Sequence, residues 1–329
     1  MTDVALLAGV SHQTVSRVLN NHPNVRERTR VRVLAAVQEL GYRPNRAAKT
    51  LATGRSQTLG VVAQGSTLFG PASLLAALGS ASSEAGFTLN VAIVRQLDRA
   101  SFQAAVERHL DQRVAGIIVI APVETASEAV RAMADDVPLV MVDGDPTLER
   151  PLVTVDQAIG ARLATQHLLD LGHPTVWHVS GPPEWFDSRG RVAGWRQTLT
   201  DAGVEVPPPL AADWSAESGF QAGLLLSRMP EVTAVFAAND HVALGVMSAL
   251  NAHGRRVPQD ISIVGFDDVP EAAYYQTPLT TVRPDFDRVA KDALRLVLDQ
   301  LTNGRLDSSE VVVPPTLVVR GSTGAPRLD

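Results

Sequence analysis

From Leu59 onward, short runs of consecutive apolar residues alternate with longer stretches in which apolar residues recur every three or four positions. The runs Leu59–Ala63, Leu89–Val94, Gly116–Ala121, Leu139–Asp143, Val176–Val179, Ala234–Ala238 and Ile261–Gly265 predict strands. Ser101–Arg113, Ile159–Leu171, Val192–Ala202 and Val242–His253 predict amphipathic helices between them. Strand–helix alternation predicts an α/β fold, with parallel sheets covered by helices on both faces. Roughly 270 residues are too many for one such sheet, so two lobes are expected, with a cleft between them. Ligands in open α/β sheets bind at the carboxyl ends of the strands, which would face that cleft.

The first 56 residues follow a different pattern. Asp3–Ala8 and His12–Asn20 read as two short helices joined at Gly9-Val10-Ser11. After the loop at Asn21-His22-Pro23-Asn24, a longer helix runs over Glu27–Leu40, with Val33, Val37 and Leu40 at helical spacing and Gly41 as its stop. The first two helices have helix-turn-helix spacing: Ala5 and Gly9 are small where the helices meet, and Val4, Ala8, Val15, Val18 and Leu19 form the inner face. Ser11 is placed to cap the second helix. His12, Gln13 and Arg17 then fall near its start or on its outer side, and these side-chain types suit base edges. A three-helix docking module remains the alternative on spacing alone.

Composition sharpens the division. The net charge of −6 argues against a nucleic-acid partner, but it hides a split. Residues 1–56 carry nine Arg and Lys against three acids, and the remainder carries 20 against 32. With no Cys, the chain has neither disulfides nor thiolate metal sites nor Cys nucleophiles. Neither the start, Met1-Thr2-Asp3, nor the uncharged but Gly- and Ser-rich stretch Ser56–Ser83 predicts a signal peptide or a membrane span. No Gly-rich phosphate loop follows the first strand. His167 and His173 lie six apart without thiolate partners and read as a surface helix end, not a metal site. No cofactor is expected.

The stretch VALLAGVSHQTVSRVLNNHPNVRERTRVRVLAAVQELGYRPNRAAKTLATGRSQTLGVV closely resembles the headpiece and hinge of LacI/GalR-family repressors. The resemblance continues through RLATQHLLDLGH, SRGRVAGW, DWSAESGFQ, FAANDHVALGVMSAL, ISIVGFDD and PLTTVRPDF, in family order. It implies a headpiece over residues 1–44 and a hinge over 45–56. It also implies a two-lobed, periplasmic-binding-protein-like domain over 57–329, with lobe one at about 57–155 and 286–313 and lobe two at about 156–285 and 314–329. It implies DNA contacts from Ser11, His12, Gln13, Thr14, Ser16, Arg17 and Asn20, and from Asn45 and Leu51 of a hinge helix over Asn45–Ala52. Leu51 would wedge into the minor groove, and so short a helix would fold only on DNA. Against the family pattern, the chain opens almost inside the first helix, and Arg26 stands where a Ser or Thr cap is more usual.

The same resemblance places Asp143, Asp187, Arg191, Trp214, Asn239, Asp267 and Phe286 at effector positions. The chemistry suits a sugar: carboxylates accept from vicinal hydroxyls, Arg donates in a fork, Asn does both, and Trp214 or Trp185 offers a platform to the apolar face of a pyranose. Trp195 reads as core or rim. Arg191 and Asp267 could instead form a structural ion pair, and Asn239 could be a strand-end cap. Asp240 reads as the cap of the Val242–His253 helix, and Asp268 as structural. In the first lobe, Gln96, Ile120 and Gln64 stand where related sequences carry a cleft-facing Arg, Asn and Ser.

The resulting expectation is a cytoplasmic repressor, not an enzyme, released from operator DNA by a galactoside-like sugar. The alternatives are a regulator that needs a small-molecule corepressor and a periplasmic-type sugar receptor. Gly321-Ser322-Thr323-Gly324-Ala325-Pro326 cannot extend a heptad seam, so a homodimer rather than a tetramer is expected.

Overall fold

The computed structural model describes residues 1–19, 22–42, 56–65, 68–96, 98–131, 137–304 and 309–327. The chain forms two compact units, Met1–Ser56 and Gln57–Asp329. The predicted hinge helix, with Asn45 and Leu51, and Asn20 at the end of the second headpiece helix lie outside the described residues.

In the first unit, α1 (Thr2–Ala8), α2 (His12–Leu19) and α3 (Glu27–Glu39) enclose a small core of Val4, Ala5, Ala8, Val15, Val18, Val33 and Ala36. Each Val taken fully out of water contributes about 1.5–3 kcal/mol. Gly9 ends α1 in the left-handed conformation at φ 58°, where Gly costs least. Ser11 then accepts the Thr14 amide at 3.2 Å, the N-terminal cap expected of it. Arg32 of α3 reaches back to the carbonyls of Ala8 and Gly9, which fastens the turn. Arg26 occupies the cap position of α3 without a side-chain bond. Leu40, expected inside, is 46% exposed, because α3 ends one residue earlier and Leu40 is already its C-cap.

The second unit contains two six-stranded sheets. The first takes β1 (Thr58–Gln64), β2 (Thr88–Val94), β3 (Gly116–Ile120), β4 (Leu139–Val142), β5 (Leu152–Val155) and β11 (Glu310–Val313), in the order β11-β5-β4-β3-β1-β2. All its pairings are parallel. The second takes β6 (Trp177–Ser180), β7 (Leu210–Ala211), β8 (Ala234–Ala237), β9 (Ser262–Phe266), β10 (Thr280–Arg283) and β12 (Thr316–Val318), in the order β12-β10-β9-β8-β6-β7. Only β12 runs antiparallel to its neighbour.

Alternate residues of each strand feed different cores. On β3, Ile118 and Ile120 pack with α4 (Phe69–Glu84) and α11 (Phe286–Asn303), while Ile117 and Val119 face α5 (Arg99–Asp111) and α6 (Glu124–Arg131). In the second sheet, Val235 and Ile263 pack with α9 (Ala216–Leu226) and α10 (Asp240–Ala252). Ala234, Phe236 and Val264 pack with α7 (Gln157–Asp170) and α8 (Phe186–Asp201). Trp195 of α8 is fully buried there and donates to the Val176 carbonyl at 2.8 Å, so it is core and not rim.

The chain passes from one sheet to the other between β5 and α7, between β10 and α11, and between β11 and β12. Several elements went unpredicted. Helix α4 lies in the uncharged stretch, where Gly70, Gly79 and four Ser dilute its apolar stripe; its buried face is Leu74, Ala77, Leu78 and Ala81. Strands β5, β10, β11 and β12 are three or four residues long, too short to show a period. His173, expected at the surface, is buried: it bonds Thr233 Oγ1 at 2.9 Å and the Gly324 carbonyl at 3.0 Å, tying down the C-terminal segment. Among the described residues no group of three or more His, Asp and Glu could hold a metal ion, and no helix is long and apolar enough to cross a membrane.

Candidate functional site

The carboxyl ends of the strands of both sheets converge on one cavity. Ile120 ends β3, Asp143 follows β4 and Val155 ends β5. From the second sheet, Asn239 follows β8, Asp267 follows β9 and Pro284 follows β10. Helix α8 adds Asp187 and Arg191 from its first two turns, with Trp185 at its N-cap. Trp214 and Phe286 complete the wall. All eight side chains expected at effector positions therefore line this one space.

Arg191 is held on several sides. Its Nε–H donates to Gln157 Oε1 at 2.9 Å, and Nη1 donates to the Ala238 carbonyl. The guanidinium lies 3.6 Å from the Phe266 ring centroid and 5.4 Å from that of Trp214. Asp267 Oδ1 is 3.7 Å from Nη2, an ion pair without hydrogen-bond contact. The two groups are the ion-pair partners weighed for them, and both face the cavity.

Asn239 is bound into the structure at both ends of its amide. Its Oδ1 accepts the Val242 amide at 2.8 Å, capping α10, and its Nδ2 donates to the Trp214 carbonyl at 3.1 Å. The cap role expected of Asp240 belongs to Asn239. Asp240 is the first helical residue and turns inward, accepting the Val269 amide at 2.8 Å and the Thr281 hydroxyl at 2.6 Å. Asp268 is structural as expected, bound by Arg283 and Arg320.

Trp214 and Trp185 meet edge to face, ring centroids 5.5 Å apart at 70°. Gly181 allows this, since a Cβ there would run into the Trp214 ring. Trp214 Nε1 is buried with no partner among the described residues. Phe286 packs edge to face on Phe69 at 6.3 Å.

The cavity collects three carboxyls against one guanidinium. Burial, with Asp187 as a like-charged neighbour, pushes the Asp143 carboxyl up to about 7, against the Val155 amide and Thr154 hydroxyl that favour its charge. Burial likewise pushes Asp267 up to about 7, with Arg191 opposing. Asp187 is raised for the same reason, and Arg191 again opposes. Backbone strain marks the same place. Of the five non-glycine residues with positive φ among the described residues, Asp143 (53°), Trp214 (76°) and Asp267 (102°) present side chains to the cavity.

In the N-terminal unit, His12, Gln13 and Arg17 lie exposed along α2, with Thr14 and Ser16 half-buried beside them. His12 Nε2 is 3.1 Å from Thr2 Oγ1, and Thr14 Oγ1 is 2.9 Å from Ser11 Oγ, so the start of α2 is ordered around a polar outer face.

The family model described as bacterial regulatory proteins, lacI family, matches residues 1–45, and that of a periplasmic binding protein-like domain matches residues 165–323. The lactose operon repressor of Escherichia coli (strain K12) is 37% identical over 326 residues, covering 98% of this chain and 90% of that protein. The lac repressor dimer bound to operator and the anti-inducer ONPF superposes with a TM-score of 0.90 at 35% identity, over 98% of both chains. A complex of the transcriptional regulator CelR with cellobiose gives 0.73 at 32%, over 97% of this chain and 98% of that one.

The chain belongs to the LacI family. It is a DNA-binding transcriptional repressor of that type and not an enzyme. The lacI-type headpiece also sets it apart from a free-standing sugar receptor of the same two-lobed fold.

Sequence reasoning missed Gln157 and the apolar part of the wall, which includes Leu68, Pro71 and Leu74. Gln157 gave no signal of its own: it is the first residue of α7, two positions before the predicted helix, and β5, the strand before it, is too short to be read from the sequence. The apolar residues had none, because Leu and Pro in a cavity wall look like core. Of the first-lobe departures, Ile120 lines the cavity, whereas Gln64 and Gln96 are not among its lining residues.

Proposed function

We propose that this LacI-family repressor acts in the cytoplasm as a homodimer, reads a pseudo-palindromic operator through α2, and releases it when a neutral sugar enters the cavity. A galactoside or a similar β-linked disaccharide is the effector. The observation that carries this reading is the wall itself: carboxyls at Asp143, Asp187 and Asp267, one anchored guanidinium, and the Trp185–Trp214 pair. Carboxylates accept hydrogen bonds from hydroxyls, Arg191 offers a donor to a hydroxyl or ring oxygen, and an indole face covers the C–H face of a pyranose.

The lac repressor and CelR similarities support sugars of this size, and differ on which one. Exposed Leu225 of α9, Leu244 of α10 and Tyr274 supply apolar surface for a second copy to cover. His12, Gln13 and Arg17 are the base-reading side chains. Calorimetric titration with lactose, methyl β-galactoside, cellobiose and ribose tests the sugar reading. Micromolar binding of a β-linked sugar is expected; binding of none of the four would overturn it.

A further inference from the structure

We propose that Gln157 is the positioning residue of the effector site, holding the Arg191 guanidinium so that its Nη2 edge meets the ligand. The proposal rests on the sugar reading above for the identity of that ligand. Three observations carry it. Gln157 Oε1 takes the Arg191 Nε–H at 2.9 Å, and the Ala238 carbonyl takes Nη1. With Nε and one hydrogen of Nη1 committed, the guanidinium is fixed in orientation, and Nη2, 3.7 Å from Asp267 Oδ1, keeps its hydrogens for a ligand oxygen.

Gln157 is itself held. Asp156 caps α7 by accepting the Ile159 amide at 2.8 Å, which fixes the backbone on which Gln157 is the first helical residue. Helix α8, which bears Arg191, lies against this end of α7 so closely that a Cβ at Gly190 would sit 2.8 Å from Gln157 Cβ, and one at Gly194 would run into the Ala158 carbonyl. The donor and acceptor therefore belong to one tightly packed helix pair.

Without Gln157, the Nε–H would be buried beside Phe266 with no acceptor, and the guanidinium would turn to find one. It would then meet a ligand in several orientations instead of one, and affinity would fall through lost preorganisation. Gln157 also sits where the chain leaves the first sheet for α7, so the anchor of Arg191 is placed at a lobe crossing.

Two variants separate an acceptor from a space-filling role. Gln157→Met keeps the bulk and removes the acceptor; Gln157→Glu keeps an acceptor oxygen at the same reach. Binding of methyl β-galactoside and of cellobiose to the full-length protein is measured by calorimetry, alongside thermal midpoints. Gln157→Met should weaken the bound sugar about tenfold or more, while Gln157→Glu stays within a few-fold of the parent. Parent-like binding by Gln157→Met, or equal loss in both variants, would overturn the proposal. A crystal structure of Gln157→Met supplies a readout independent of any sugar: a displaced guanidinium is expected, and an unmoved Arg191 overturns the assignment. If the parent binds neither sugar, the sugar reading falls, and that crystal structure alone decides the role of Gln157.

Discussion

The two walls of the cavity are built on different principles. The first-lobe wall is mostly apolar, with Leu68, Pro71, Leu74, Ile120 and Val155, and Asp143 is its ionisable residue among those described. The second-lobe wall carries Asp187, Arg191, Asn239 and Asp267 around Trp214, and much of its bonding capacity is spent on itself. Asn239 caps a helix and holds the Trp214 backbone; Arg191 is tied to Gln157 and Ala238. The second lobe thus offers a rigid polar cradle, ready before a ligand arrives, and the first offers a shape. Polar recognition should depend steeply on second-lobe residues, and the choice among similar sugars should depend on first-lobe ones.

The steepest test is Arg191→Ala. It removes the guanidinium and leaves the Ala238 carbonyl and Asp267 without it. Loss of about 2–5 kcal/mol in sugar affinity is expected, enough to abolish release while DNA binding persists. Normal release measured by fluorescence anisotropy on DNA would remove Arg191 from recognition. Trp214→Ala comes next. It removes the platform and opens a void over Gly181, and a tenfold or greater loss of sugar affinity is expected by calorimetry, at about 1.4 kcal/mol per decade. Unchanged affinity would leave the aromatic pair a purely structural feature.

Acidity distinguishes the cavity carboxyls in a third way. Asp143 and Asp267 keep their protons in the folded protein up to about 7, against 3.8 for an ordinary carboxyl. The folded chain therefore binds more protons than the unfolded chain between these values, and this part of its stability is lost as pH rises from about 4 to 7. Sugar hydroxyls donate to the ionised carboxylate, so binding should release protons and tighten several-fold from pH 6 to pH 8. Calorimetry in buffers of different ionisation enthalpy measures the proton count, and proton uptake would reverse the assignment. The smallest effect is expected from Ile120→Asn on the shape-giving wall. It should change the ranking of lactose against cellobiose by a few-fold and leave DNA affinity alone; a loss as large as that of Arg191→Ala would erase the distinction between the walls.

How legible this was depended on the length of each pattern. The apolar runs at Gly116–Ala121 and Leu139–Asp143 predicted strands of a parallel sheet, and the structure has β3 and β4 there within a residue. Helix α4 was hidden because Ala, Ser and Gly let it pack closely without an apolar stripe strong enough to read. The polar side of the cavity came from motif resemblance and chemistry together. The cap was assigned to Asp240 one residue too late, since Asn and Asp suit that position equally and only the backbone decides between them. Leu74 and Val155 could not be read as cavity wall, because the property that places them there is a gap beside them, not a residue type.

Release of DNA by a sugar requires linkage between the cavity and the DNA-reading headpiece. The most direct measurement titrates a DNA fragment that the protein itself selects from a random pool by fluorescence anisotropy, with and without saturating sugar, and then titrates the same sugar with and without that DNA. Sugar should lower DNA affinity, and DNA should lower sugar affinity by the same factor, because coupling between two sites on one molecule is reciprocal. Binding of both ligands with neither altering the other would contradict the account, as would sugar that tightens the complex with DNA.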